Sequence, residues 1–127
     1  MNPKVRLVVL LMKSNLNRPL TLDDMCAVAK LSRSRLHNLF KTELGASPLQ
    51  YHKSLRLERA RELLEETFWK VESVRIEVGY RDHSHFFRDF RERFGMPPSR
   101  YRALRARPRL SERRSRYKKT VRSSTKQ

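Results

Sequence analysis

A chain of 127 residues, with 30 Lys and Arg against 13 Asp and Glu, carries a formal charge of +17. That length admits one modest domain or two very small ones on a shared scaffold, and that charge favours a polyanionic partner: nucleic acid first, an anionic membrane surface second. The longest apolar run, LVVLLM at residues 7 to 12, falls far short of the roughly 20 residues that span a bilayer, while a single cysteine, Cys26, excludes an internal disulfide and fits a reducing, cytoplasmic setting.

Helical periodicity dominates the chain. An apolar stripe predicts a helix over 5–16, ending near Asn17-Arg18-Pro19. Thr21 then stands as an N-cap for LDDMCAVA (22–29), with acids in the first turn where the helix dipole favours them. Cys26 lies among apolar residues and reads as a small packing group. Ser32 caps a second helix, RSRLHNLFKTEL (33–44), which stops at Gly45. Ser47-Pro48, a cap followed by proline at the first position, opens a longer helix that runs to about residue 66. In FWK (68–70), Phe68 and Trp69 are either core or an exposed contact for a partner.

The pattern then starts again. VESVRIEVGY (71–80) lies on LDDMCAVAKL (22–31) at an offset of 49, with Met25 on Val74 and Leu31 on Tyr80. One extra residue enters the turn, and the offset becomes 50. Ser32 falls on Asp82, Leu36 on Phe86, Phe40 on Phe90, Leu44 on Phe94 and Gly45 on Gly95. Each copy is a short helix, a tight turn, a longer helix and a glycine stop, the outline of a helix-turn-helix.

On the helix over 33–44, Leu36, Leu39, Phe40 and Leu44 gather on one side, and Ser34, His37, Asn38 and Lys41 on the other. The polar set suits a major groove, where serine and asparagine bond base edges and lysine reaches guanine or phosphate; it equally describes an ordinary solvated face. Its counterpart over 82–94 carries Ser84, Phe87, Arg88 and Arg91 outward. Arg88 can bond both acceptors of a guanine, and Phe87 can meet thymine methyls or sugars. His83 and His85 lie about 200° apart around that helix, which argues against a shared metal ion. His83 is expected at DNA, and His85 near a phosphate or in solvent. With no nucleophile motif, phosphate loop or acid pair, no enzyme, cofactor or metal site is expected.

Two stretches carry a resemblance: RLERARELL (56–64) and VGYRDHSHFFRDFRERFGMPPSRYR (78–102). They resemble the DNA-binding domain of the AraC/XylS family of bacterial transcription regulators. The resemblance covers about residues 5–104. It implies an all-α, seven-helix domain over 1–104, with helix-turn-helix units at about 5–46 and 67–104 and a linker helix at about 48–66. That linker of about 19 residues would span about 28 Å, near the roughly 34 Å between successive major grooves. Carried over by position, base contacts would come from Ser34, His37, Asn38, His83, Ser84, Phe87 and Arg88. Phosphate contacts would come from Arg33, Lys41, Arg91 and Arg102.

The resemblance further implies a sequence-specific regulator of double-stranded DNA, an activator touching RNA polymerase, in the bacterial cytoplasm at the nucleoid. It would bind as a monomer if it stands alone and could dimerise if it is part of a longer chain. Three positions depart from the family. Cys26 and Arg75 stand where alanine is usual, and Arg75 is expected to loosen or re-angle the second unit. Lys30 replaces the usual turn glycine and is expected in the left-handed conformation.

The segment 105–127 holds ten Lys and Arg and one acid, a net +9, and is expected to be disordered. It either aids solubility or adds phosphate contacts. A protein led by this tail would bind nucleic acid without sequence preference, which is the alternative function.

Overall fold

The computed structural model describes residues 1–107. It contains α1 (Pro3–Ser14), α2 (Leu22–Ala29), α3 (Arg33–Leu44), α4 (Pro48–Glu66), α5 (Val71–Glu77), α6 (His83–Phe94) and α7 (Pro98–Arg105), with no strand among the described residues. The all-α, seven-helix expectation holds.

Local chemistry sets the helix starts. The Thr21 hydroxyl accepts from Asp24 N–H while the Asp24 carboxylate accepts from Thr21 N–H, a reciprocal cap. Ser47 and Gln50 make the same exchange at the start of α4. Ser32 and Asp82 cap the two longer helices of the repeat, accepting from Arg35 and His85. α1 begins two residues earlier than its apolar stripe does. Asn2 accepts from Lys4 N–H and Pro3 takes the first helical position, a start signal that lies outside the stripe.

The repeat extends further than the glycine stops. At the same offset of 50, Pro48 matches Pro98 and Tyr51 matches Tyr101, both prolines being buried. Each tyrosine packs edge-on to the equivalent phenylalanine: Tyr51 on Phe40 with centroids 6.0 Å apart, and Tyr101 on Phe90 at 5.6 Å. Upstream, the buried residues Val5, Val8 and Met12 of α1 match the buried residues Leu57, Ala60 and Leu64 of α4 at an offset of 52. The start of α4 is therefore the last helix of the first unit, and its remainder is the first helix of the second. The compact units divide accordingly, Met1–Arg56 and Leu57 onward, so the division falls inside the helix that the sequence assigned to a linker.

Each unit has its own core. The first gathers Val5, Val8, Val9, Met12, Met25, Ala29, Leu36 and Phe40, with Cys26, Tyr51 and Leu55 partly buried against them. The second gathers Leu57, Ala60, Leu63, Leu64, Trp69, Val74, Val78, Tyr80, Phe86, Phe90 and Tyr101. Trp69 is core, whereas Phe68 is exposed.

Lys30 closes α2 at φ +55 and ψ +48, the left-handed region that the family resemblance led us to expect. Its counterpart Gly79 has φ +85. A side chain in that region costs about 1–2 kcal/mol, partly offset by the lower chain entropy of a non-glycine residue when unfolded. Lys30→Gly should therefore stabilise the first unit by about 0.5–1 kcal/mol, read as a raised midpoint in urea with unchanged slope. A lowered midpoint would show that the lysine side chain contributes more than its backbone strain costs.

The tail departs from expectation at its start. Arg105 completes α7, and the Arg107 N–H donates to the Glu65 carbonyl at 2.6 Å, so residues 105–107 are held to α4. Residues 108–127, which carry the rest of the expected disordered tail, lie outside the described residues.

Candidate nucleic-acid interface

α3 buries Leu36 and Phe40 and exposes Ser34, His37, Asn38 and Lys41. The polar residues follow the 3–4 residue spacing that puts side chains on one helix face. Arg33, at the start of the helix, is engaged in the free protein: its Nε and Nη2 donate to Asp23 Oδ1 at 3.0 and 2.7 Å. Both side chains are exposed, so this pair contributes little to stability and can open for a phosphate.

α6 repeats the arrangement. Phe86 and Phe90 are buried, while His83, Ser84, Arg88 and Arg91 are exposed. From residue 91 to 100 the sequence of buried and exposed positions is the same as from 41 to 50. The two polar faces are thus equivalent in register, and each stands on its own core.

Phe87 differs from its expected role as a free outward ring. It is half-buried, packs against the second core, and stacks on His83 with centroids 3.8 Å apart. Its ring also meets the buried Phe86 ring edge-on, with centroids 6.1 Å apart. Phe87 is therefore a shelf under His83.

Arg102 differs too. Its Nε donates to the Leu64 carbonyl near the end of α4, and Nη2 is buried without a protein partner. Burial pushes its guanidinium below the ordinary arginine range. A side chain spent on a helix end is poorly placed for a phosphate, because α7 packs its Tyr101 face, with Arg102 beside it, onto α4. The equivalent residue in the first unit, His52, is also buried. Burial, with Arg56 adding to it, pushes its imidazole down to about 4, so it packs as a neutral ring.

The second turn holds a network that the sequence did not reveal. Arg75 Nη1 donates to the Tyr80 carbonyl at 2.6 Å, and its Nε donates to Glu72 Oε2 at 3.1 Å. Glu72 Oε1 lies 2.9 Å from His83 Nδ1. The His83 and Arg75 contacts hold the Glu72 carboxyl below the usual carboxylate range, against the opposing effect of burial. Arg75 thus clasps the turn. Below it, buried Asp89 accepts from Tyr80 Oη at 2.8 Å and from Arg88 Nε at 3.3 Å. The matching positions of the first unit, Leu31 and Leu39, are apolar and pack on that core. Arg75 and Glu72 stand three apart on α5, a spacing that favours their pairing, whereas the Glu72–His83 contact arises only where α5 meets α6.

His85 folds back on its own cap. Asp82 Oδ1 accepts from His85 N–H and Oδ2 lies 2.7 Å from His85 Nδ1. Among the described residues no three His, Cys, Asp or Glu side chains are grouped to hold a metal ion. No helix among the described residues is long and apolar enough to cross a membrane.

Residues 25–104 match the model of a family described as a helix-turn-helix domain. The chain is 40% identical over 96 residues to the transcriptional regulator GbdR of Pseudomonas aeruginosa, covering 76% of this chain and 26% of that one. It is 33% identical over 103 residues to the regulator CdhR of the same organism, covering 81% of this chain and 31% of that one. The chain therefore spans about a quarter to a third of the length of these curated relatives. Among solved structures, an AraC-type regulator from Chromobacterium violaceum superposes with a TM-score of 0.76 at 37% identity, covering 84% of this chain and 96% of that one. The DNA-binding domain of AdpA, solved in complex with a target DNA, superposes with a TM-score of 0.75 at 27% identity, covering 82% and 93%.

Proposed function

Because the chain belongs to the AraC-type helix-turn-helix family of transcription regulators, we propose that it reads double-stranded DNA in sequence, with α3 and α6 entering successive major-groove segments. Ser34, His37 and Asn38 contact bases from α3; His83, Ser84 and Arg88 do so from α6, with Phe87 acting through His83. Arg33, Lys41 and Arg91 contact phosphates, together with N–H groups at the helix starts. The observation that supports this reading is that exposed polar residues recur in register, Ser34 with Ser84, Asn38 with Arg88 and Lys41 with Arg91, on two helices that share the buried positions 36/86 and 40/90.

The protein activates transcription by touching RNA polymerase, a step that rests on family analogy alone. Its work is binding rather than catalysis, it needs no cofactor, and it acts in the bacterial cytoplasm as a monomer on an asymmetric two-box site. Membership of a longer, dimerising chain would replace that monomer with two copies on paired sites.

The test is selection of bound sequences from random duplex DNA at near-physiological salt. Two enriched boxes about one helical turn apart are expected. Enrichment of one box alone would remove one helix from the reading. No enrichment, with affinity that simply falls as salt rises, would replace the reading with non-specific binding by basic charge.

A further inference from the structure

The Arg75–Glu72–His83 network bears on which base the start of α6 selects. An ionised carboxylate has no hydrogen to give, so the contact between Glu72 Oε1 and His83 Nδ1 requires the hydrogen to sit on Nδ1. A neutral ring so held has only a lone pair on Nε2. Stacking on Phe87 limits rotation of the ring, and the Arg75 bonds to Glu72 and to the Tyr80 carbonyl limit movement of the carboxylate. Meanwhile the His83 side chain remains 59% exposed, leaving the rest of the ring accessible.

We propose that Glu72, itself held by Arg75, is a positioning residue that fixes His83 with its hydrogen on Nδ1, so that Nε2 serves as an acceptor and selects an amino-bearing base, adenine or cytosine, on the strand it meets. In the major groove adenine and cytosine present an amino donor, whereas guanine and thymine present carbonyl acceptors at the corresponding edge. An acceptor therefore separates the two amino bases from the two carbonyl bases. A free imidazole, able to carry its hydrogen on either nitrogen, would not. Glu72 lies on α5 and needs no contact with DNA for this role. The inference rests on α6 lying in the major groove.

Two measurements test it together. The first is the nitrogen NMR signature of His83 in the free protein, recorded with the ring carrying a single hydrogen. The expected result is a hydrogen on Nδ1 in the wild type and in Glu72→Gln, whose amide oxygen can still accept, and a mixture of tautomers in Glu72→Ala. The second is the selection from random DNA, repeated with each variant. One position should favour adenine or cytosine over guanine or thymine by roughly fivefold, the scale of one net hydrogen bond. His83→Ala should abolish that preference, Glu72→Ala should at least halve it, and Glu72→Gln should retain it, with the other positions unchanged. A wild-type ring carrying its hydrogen on Nε2, or a preference untouched in Glu72→Ala, would overturn the proposal. An Nδ1-protonated ring in a protein that enriches no sequence would instead overturn the DNA reading and the base preference with it, leaving the Glu72 contact standing. The two failures are therefore distinguishable.

Discussion

Phe90→Ala should destabilise the second unit by about 3–5 kcal/mol, enough to leave much of it unfolded at room temperature. Phe90 is fully buried and sits at the centre of an aromatic group, with ring centroids 5.9 Å from Phe86, 4.6 Å from Phe94 and 5.6 Å from Tyr101. Removing it takes away the buried ring and its contacts with three others, two tilted and the one to Tyr101 edge-to-face, and it leaves a cavity that a small helical unit has few means to close. Units of this size have little stability in reserve.

The readout is built in: Trp69 is the one tryptophan of the chain and is buried in the same cluster. Its emission should shift toward that of a solvated indole at low urea. The equivalent change Phe40→Ala should cost the first unit a similar amount but, since Phe40 belongs to the other core, move the Trp69 emission less. Emission from Trp69 that stays native in Phe90→Ala, with a midpoint lowered by under about 1 kcal/mol, would show that the aromatic group is not the keystone of that core.

The helices and the duplicated unit were legible because they rest on local rules. Caps at Thr21, Ser32, Ser47 and Asp82, a proline after the third of these, and apolar residues at helical spacing announce themselves within a few positions. The left-handed backbone of Lys30 was expected from the resemblance instead, because the family usually has a glycine at that turn position. What escaped was set by elements meeting. Tyr51 and Tyr101 extend the repeat because each packs on a phenylalanine eleven residues earlier, and nothing in the run between them requires it.

Arg102 was carried over from the resemblance by position as a phosphate ligand, yet the Leu64 carbonyl, in the last turn of α4 where carbonyls lack partners along their own helix, draws it in. Phe87 looked like a ring for DNA until the stack with His83 formed. Arg75 looked disruptive because alanine is usual there, and the turn carbonyl of Tyr80 gives it a place. The polar faces were legible as faces. Which of their members are already spoken for by neighbouring carboxylates was not.

Arg88→Ala should weaken binding to the selected site by about 1–3 kcal/mol, roughly 5- to 150-fold, while relaxing the preference at one base pair only. Its side chain is 57% exposed, and the one contact it makes to Asp89 uses Nε alone, which leaves the outer edge of the guanidinium for a guanine. That contact also orients the fork, since Asp89 is itself fixed by Tyr80 Oη. Arg88→Lys keeps the charge but loses the paired donors, and it should lose most of the discrimination while keeping more of the affinity. Lys41→Ala, on α3, should weaken all sequences alike and reduce the dependence of binding on salt. The pattern across the three variants decides the assignment. If Arg88→Ala weakens every sequence equally, as Lys41→Ala does, then Arg88 touches only the backbone, and the specificity of the second helix must come from His83 and Ser84.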